Sequence, residues 1–312
     1  VLNASADPIA PPPGTVLRMS LTAPRALEPA RESLAYRAAK HAPDVTLTAA
    51  RKRVLDVLAE RGGAQTAQAL AEAAGCGVAV VRGLADAGAL ETVLVPPRYP
   101  ASSFDPPANN SYGVPTLSQD QKLAAERLIG KLGHGYSATL LDGVTGAGKT
   151  EVYLEAIAAN LEAGRQTLVL LPEIALSSQL IERFGKRFGA SPAEWHSDVG
   201  PGPRRMVWRG VAEGKTKVVV GARSALFLPY PDLGLIVVDE EHEQAFKQED
   251  GVIYHARDMA VARAHLEGFP IVLVSATPSL ETVANADAGR YDRVYLPARH
   301  AGAALPHVSL ID

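Results

Sequence analysis

The sequence predicts an α/β fold, a parallel sheet covered by helices on both faces, preceded by a small winged-helix-like domain. Three observations point there. From Leu117 onward, short apolar runs at 138–142, 167–171, 217–220, 235–238 and 271–275 alternate with helical patterns, and strands buried on both faces read as continuous runs of this kind. The run ending at Asp142 feeds a glycine-rich turn and then a helical stretch that opens at Glu151. The run 235–238 ends in the carboxylates Asp239, Glu240 and Glu241, at the strand end where ligands of open parallel sheets collect.

Along the chain, residues 1–42 are rich in Ala and Pro, with a strand-like segment at 14–21. Residues 43–96 read as a small helical module. Val54, Leu55 and Leu58 share one helical face, Leu70, Ala71 and Ala74 a second, and Val80, Val81, Leu84 and Ala85 a third. Gly75 and Gly88 supply C-terminal stops, and 90–95 makes a short strand before Pro96 and Pro97. This is the outline of a winged helix. Its third helix carries only Arg82 as a cation, which ranks a packing or spacer role above duplex reading. Prolines, serines and asparagines make 97–116 a linker. The main domain is expected over 117–312.

With 312 residues, 47% of them hydrophobic and 21% charged, the chain can bury one large or two ordinary cores. No apolar stretch approaches the roughly 18 residues of a membrane span, and the opening lacks a secretory pattern, so no membrane partner and a cytoplasmic location are expected. The lone cysteine, Cys76, excludes an intramolecular disulfide and a cysteine-cluster metal site within the chain. A net charge of -3 leaves nucleic-acid binding to local patches. The opening lacks an initiator methionine and reads as mid-protein, which suggests a fragment.

Gly143, Val144, Thr145, Gly146, Ala147, Gly148, Lys149 and Thr150 have the spacing of a loop whose backbone N–H groups curl round phosphate oxygens at a helix N-terminus. Lys149 is expected to reach the terminal phosphates of ATP and the Thr150 hydroxyl to ligate magnesium. Asp239 is expected to hold the magnesium and Glu240 to polarise the attacking water, since phosphoryl transfer asks mainly for positioning and charge stabilisation. Ser275 and Thr277 place two hydroxyls at the end of a further strand.

In this order the phosphate loop, Asp239-Glu240-Glu241-His242 and Ser275-Ala276-Thr277 resemble the first motor lobe of superfamily-two DExH helicases. The longer stretches 142–153, 171–176, 221–227, 239–242 and 254–258 resemble the PriA family of bacterial primosomal replication-restart helicases. The resemblance implies a RecA-like, P-loop NTPase helicase lobe over 117–312 and, over 1–42, the remnant of an N-terminal DNA-binding domain and linker. It implies ATP-dependent 3′-to-5′ unwinding, with forked and single-stranded DNA, primosome proteins and single-strand-binding protein as partners. Gln121 is implied as an adenine reader. Pro172, Glu173, Arg223 and Ser224 are implied as DNA-contacting, as is an aromatic-rich loop carrying Phe246, Lys247, Tyr254, His255 and Arg257. Ser275 and Thr277 would couple hydrolysis to movement. The family's zinc-binding cysteines, second lobe and arginine finger are not in this chain, so the chain alone is expected to turn over poorly. The alternatives are another DExH nucleic-acid motor, or a nucleotide- or DNA-binding module without turnover.

Overall fold

The computed structural model describes residues 13–21, 23, 25–28, 32–40, 45–97, 99–102, 116–172 and 178–297. They fall into two compact units, one of residues 28–98 and a larger one formed by residues up to 27 together with those from 99 onward.

The chain enters the larger unit as helix α1 (Pro13–Ser20), where a strand-like segment was expected. The segment pairs with no strand. Its backbone groups are satisfied locally instead, Leu21 N–H donating to Leu17 O at 3.2 Å.

The smaller unit follows as β1 (Ser33–Ala38), α2 (Ala49–Arg61), β2 (Gln65–Thr66), α3 (Ala67–Ala73), α4 (Val78–Asp86) and β3 (Leu90–Val95). Thr48 and Thr66 cap α2 and α3 with their hydroxyls. Gly75 and Gly88 follow α3 and α4 with positive φ, as the stop signals require. Val54, Leu58, Leu70, Val81, Leu84 and Leu90 close the core with Tyr36. That tyrosine comes from β1, which pairs antiparallel with β3 from Ser33↔Val95 to Ala38↔Leu90. The unit therefore begins at residue 28 and not at 43, because β3 needs β1 as its hydrogen-bonding partner.

The larger unit continues as α5 (Gln119–Ile129), β4 (Ser137–Gly143), α6 (Lys149–Glu162), β5 (Gln166–Leu170), α7 (Ser178–Phe188), β6 (Ala193–Trp195), α8 (Pro201–Ala212), β7 (Val218–Gly221), β8 (Leu233–Asp239), β9 (Lys247–Gln248), β10 (Tyr254–His255), α9 (Ala256–Glu267), β11 (Pro270–Ser275), α10 (Leu280–Asp287) and β12 (Asp292–Leu296). Seven strands form one sheet in the order β12-β4-β11-β8-β5-β7-β6, every pair parallel. Alternate residues of one strand feed opposite layers: Leu168, Ile236 and Leu273 lie in one core, and Val169, Val237 and Val274 in the other. Both faces are covered, so the runs are apolar throughout. The register sets Ser275 beside Asp142 and Val274 beside Asp239, which gathers the ends of β4, β11 and β8 at one edge.

Segments expected to lie outside this domain are part of it. Ala23 and Ala26 are buried in its core, and the Trp208 indole donates to Ser20 O at 2.8 Å. Tyr99, in the expected linker, is buried and donates to Glu213 at 2.7 Å. Of that linker, Arg98 and residues 103–115 lie outside the described residues.

Candidate active site

The glycine loop leaves β4 and ends on α6. Gly146 and Gly148 sit at φ 82° and 79°, backbone that a Cβ disfavours, and at Gly143 a Cβ would come within 2.8 Å of Leu296 Cβ. The turn thus needs its glycines. Lys149 folds back over the loop, its Nζ donating to Gly143 O at 2.7 Å and to Val144 O at 3.4 Å. Burial pulls its pKa down, while Glu240, Asp239 and Asp142 oppose that pull. The ammonium therefore rests on carbonyl oxygens, the same donor–acceptor chemistry a phosphate oxygen would offer it. Beside it opens a cleft of about 630 Å³ bordered by the loop, Thr150, Asp239, Glu240 and Ala276, a size suited to a nucleotide.

At the end of β8, the Tyr153 hydroxyl donates to Asp239 Oδ2 at 2.9 Å and the Glu240 N–H to Asp239 Oδ1 at 3.0 Å. Burial pushes the Asp239 carboxyl up to about 6, the Tyr153 hydrogen bond working the other way. A divalent cation beside it would favour the charged carboxylate, and Asp239 together with the Thr150 hydroxyl would suit magnesium. Glu240 has φ 52°, in the left-handed region that costs a non-glycine residue about 1–2 kcal/mol. That turn leaves its side chain 43% exposed at the cleft.

The next two residues tie this loop to its neighbours. The His242 ring Nδ1 lies 2.8 Å from Ser275 Oγ, and the Thr277 N–H donates to that same oxygen at 3.0 Å. Glu241 is fully buried and accepts from Ser279 N at 2.8 Å, Thr282 Oγ1 at 2.9 Å and Arg257 Nη1 at 3.1 Å. Removing either partner of this buried ion pair would leave a desolvated charge.

Lys149, Thr150, Asp239 and Glu240 come together at one cleft, and Ser275 stands on the adjoining strand. The residues implied to contact DNA differ in exposure and in the partners they already hold. Phe246 is fully buried in the core, where apolar burial outweighs stacking on a base. Arg257 is buried against Glu241 and donates to Asp258 at 2.8 Å, so its guanidinium is not presented to a phosphate. Ser224 accepts the Trp195 indole N–H at 3.1 Å, Arg223 donates to Lys247 O, and Pro172 is buried. Tyr254 and His255 are half-buried, Tyr254 edge-to-face with Phe227 at 5.2 Å. Burial lowers the His255 pKa. Lys247 and Thr277 are exposed, and Glu173 lies outside the described residues.

Gln121 is turned inward. It completes a capping box with Ser118 at the start of α5, its Oε1 accepting from Ser118 N at 2.8 Å. Its Nε2 donates to Ala147 O at 2.8 Å. The amide braces the glycine loop from behind and does not border the cleft. Sequence reasoning also missed Tyr153, although it follows Lys149 by four residues and so shares its helix face. The Glu241–Arg257 pair and the α7 cations Arg183, Lys186 and Arg187 at the cleft wall depend on tertiary packing, which leaves no local signal.

A parallel sheet with a glycine loop at the end of β4 and carboxylates at the end of β8 defines the class, a RecA-like P-loop NTPase lobe. Residues 118–286 match the DEAD/DEAH box helicase family, and the chain belongs to that family. With the family comes the use of a nucleotide and Mg²⁺. The chain is similar to the replication restart protein PriA of Rickettsia conorii, 48% identical over 65% of this chain and 31% of that protein. To PriA of Synechocystis it is 40% identical over 86% of this chain and 32% of that protein. The chain thus spans about a third of the length of these curated relatives. Among solved structures, RecG bound to a three-way DNA junction overlaps loosely, with a TM-score of 0.46 and 24% identity over 64% of this chain and 26% of that one. No group of three or more metal-ligating side chains occurs among the described residues, and none of their helices is long and apolar enough to cross a membrane.

Proposed function

We propose that this chain carries the ATP-binding motor lobe of a PriA-type DNA helicase, which uses hydrolysis to travel 3′ to 5′ and open stalled forks during replication restart. What supports this most is the cleft where Lys149, Thr150, Asp239 and Glu240 converge, in a chain 48% identical to a replication restart protein. Forked and single-stranded DNA, primosome proteins and single-strand-binding protein are the partners this reading expects, in the cytoplasm. Any zinc would be bound elsewhere than by the described residues, which hold no ligand cluster.

The residues divide the work. Lys149 exchanges the carbonyls of Gly143 and Val144 for the terminal phosphates, and the loop N–H groups at the start of α6 take the remaining oxygens. Thr150 and Asp239 would hold a magnesium ion, which would supply positive charge against that of the phosphates. The Glu240 carboxylate orients a water in line with the terminal phosphate and accepts its proton. The His242–Ser275 contact lets a change at the end of β8 reach the Ser275–Thr277 turn, where exposed Thr277 faces outward. Lys247, Tyr254 and the exposed edge of that turn are the candidates for touching single-stranded DNA.

The test is strand separation by the intact protein that carries this chain. ATP should drive opening of forked DNA but not of duplex RNA, and Lys149→Ala should abolish it. Opening that survives in the Lys149 variant, or a preference for RNA, contradicts the reading.

A further inference from the structure

The two oxygen ligands that suit magnesium come from different elements, Thr150 from the first turn of α6 and Asp239 from the end of β8. One residue touches both. Tyr153 lies three positions after Thr150, so the two share a face of α6. Its hydroxyl donates to Asp239 Oδ2 at 2.9 Å, and the Thr150 hydroxyl is its other hydrogen-bonding neighbour. The ring is fully buried in the core layer that holds Val169 and Val237, which leaves the phenol no solvent partner and no room to swing away. Thr150 and Asp239 border the cleft, whereas Tyr153 does not. It stands behind the pair.

The Asp239 carboxylate is pinned at both oxygens, Oδ2 by the phenol and Oδ1 by the Glu240 N–H at 3.0 Å. A carboxylate offers about four lone-pair directions, so two such bonds fix its plane and still leave positions for a cation. A hydroxyl that gives a lone pair to a metal must send its proton elsewhere, and the Tyr153 oxygen is an acceptor within reach of Thr150. Side chains one bond removed from a metal in this way orient its ligands and thereby set its affinity.

We propose that Tyr153 is the positioning residue of the magnesium site, its hydroxyl holding Asp239 and Thr150 in register for a single cation. The proposal rests on reading the cleft as the Mg·ATP site. The tie spans 86 positions of chain, so neither the glycine-loop motif nor the acidic motif contains it. Without the hydroxyl, the Asp239 carboxylate keeps only the Glu240 N–H and turns about that bond, and the Thr150 proton loses its acceptor. Lys149 and the loop amides are untouched. The loss therefore falls on the metal and not on the phosphates.

The experiment titrates ATP into residues 1–312 and into the Tyr153→Phe and Lys149→Ala variants, once in EDTA and once in saturating magnesium, each below the protein's melting temperature. The ratio of the two affinities is the gain that magnesium supplies. Tyr153→Phe keeps the ring in the core, so the fold persists, and melting curves in EDTA check it. The variant should bind metal-free ATP within about twofold of wild type and lose about tenfold of the magnesium gain. Lys149→Ala should weaken ATP in both conditions. An unchanged magnesium gain in Tyr153→Phe overturns the proposal, even if that variant melts lower, because a merely structural contact would move stability alone. Equal losses with and without metal overturn it too, since they would mark the tyrosine as a packing residue. In either case a retained Lys149 effect leaves the ATP-site reading standing, whereas ATP binding insensitive to Lys149 removes both.

Discussion

Phe246 and Tyr254 look alike in sequence, two aromatic residues in a loop after an acidic strand end, and the fold separates them. Phe246 has no exposed surface and Tyr254 is half-buried against Phe227. Phe246→Ala should therefore lower unfolding free energy by about 3–5 kcal/mol, and Tyr254→Ala by about 1 kcal/mol. Denaturant melts of the two variants check this, and a near-neutral Phe246→Ala would place that ring outside the core. Glu240 is the second residue whose role depends on conformation. Its φ of 52° stores strain that glycine would not carry, so Glu240→Gly should be at least as stable as Glu240→Ala, by about 1 kcal/mol. A glycine variant less stable than the alanine one would mean that the left-handed turn costs nothing here. Lys149 with Thr150, and Asp239 with Glu240, were legible as two motifs because the spacing within each is local, and the structure brings the two to one cleft. Arg257 was not, since nothing in its neighbourhood along the chain reveals that Glu241, sixteen residues earlier, would bury it.

Among the elements, the buried central strands were the easiest to read and the edges the hardest. β4, β5, β7, β8 and β11 are apolar on both faces, but β6 and β12 have the mixed burial of edge strands, and neither was anticipated. β1 was missed for a related reason: Ser33–Ala38 buries only Ala35 and Tyr36, too little to stand out from its Ala-rich surroundings. Helix α5 shows how an element can serve the site indirectly. Its capping box positions Gln121, and Gln121 holds Ala147 O. If that amide braces the loop and does not read adenine, Gln121→Ala should weaken Mg·ATP and Mg·GTP by the same factor, about tenfold for the loss of a buried hydrogen bond. Titrating both nucleotides decides it, because an adenine reader would show a loss confined to ATP. Ser118→Ala should cost about 1 kcal/mol of stability through the same box, read as a shift in melting temperature.

At the scale of the whole molecule, one parallel sheet explains why residues more than a hundred positions apart converge. β11 lies between β4 and β8, so the glycine loop, the Asp239–Glu240 turn and the Ser275–Thr277 turn leave the same edge. This convergence follows from strand order, which the sequence pattern does not specify. The membership of Ser20, Ala23, Ala26 and residues 99–101 in the larger unit was likewise invisible, because single contacts such as Trp208 to Ser20 O and Tyr99 to Glu213 bind short segments without periodicity. The proposed function makes the cleft an ATP site organised by Lys149. The direct measurement is calorimetric titration of Mg·ATP into residues 1–312 and into Lys149→Ala, with melting curves of both proteins alongside. Saturable one-to-one binding by the wild type, a loss of at least tenfold in the variant, and matching melting temperatures are expected. Equal affinities in two folded proteins would contradict that reading.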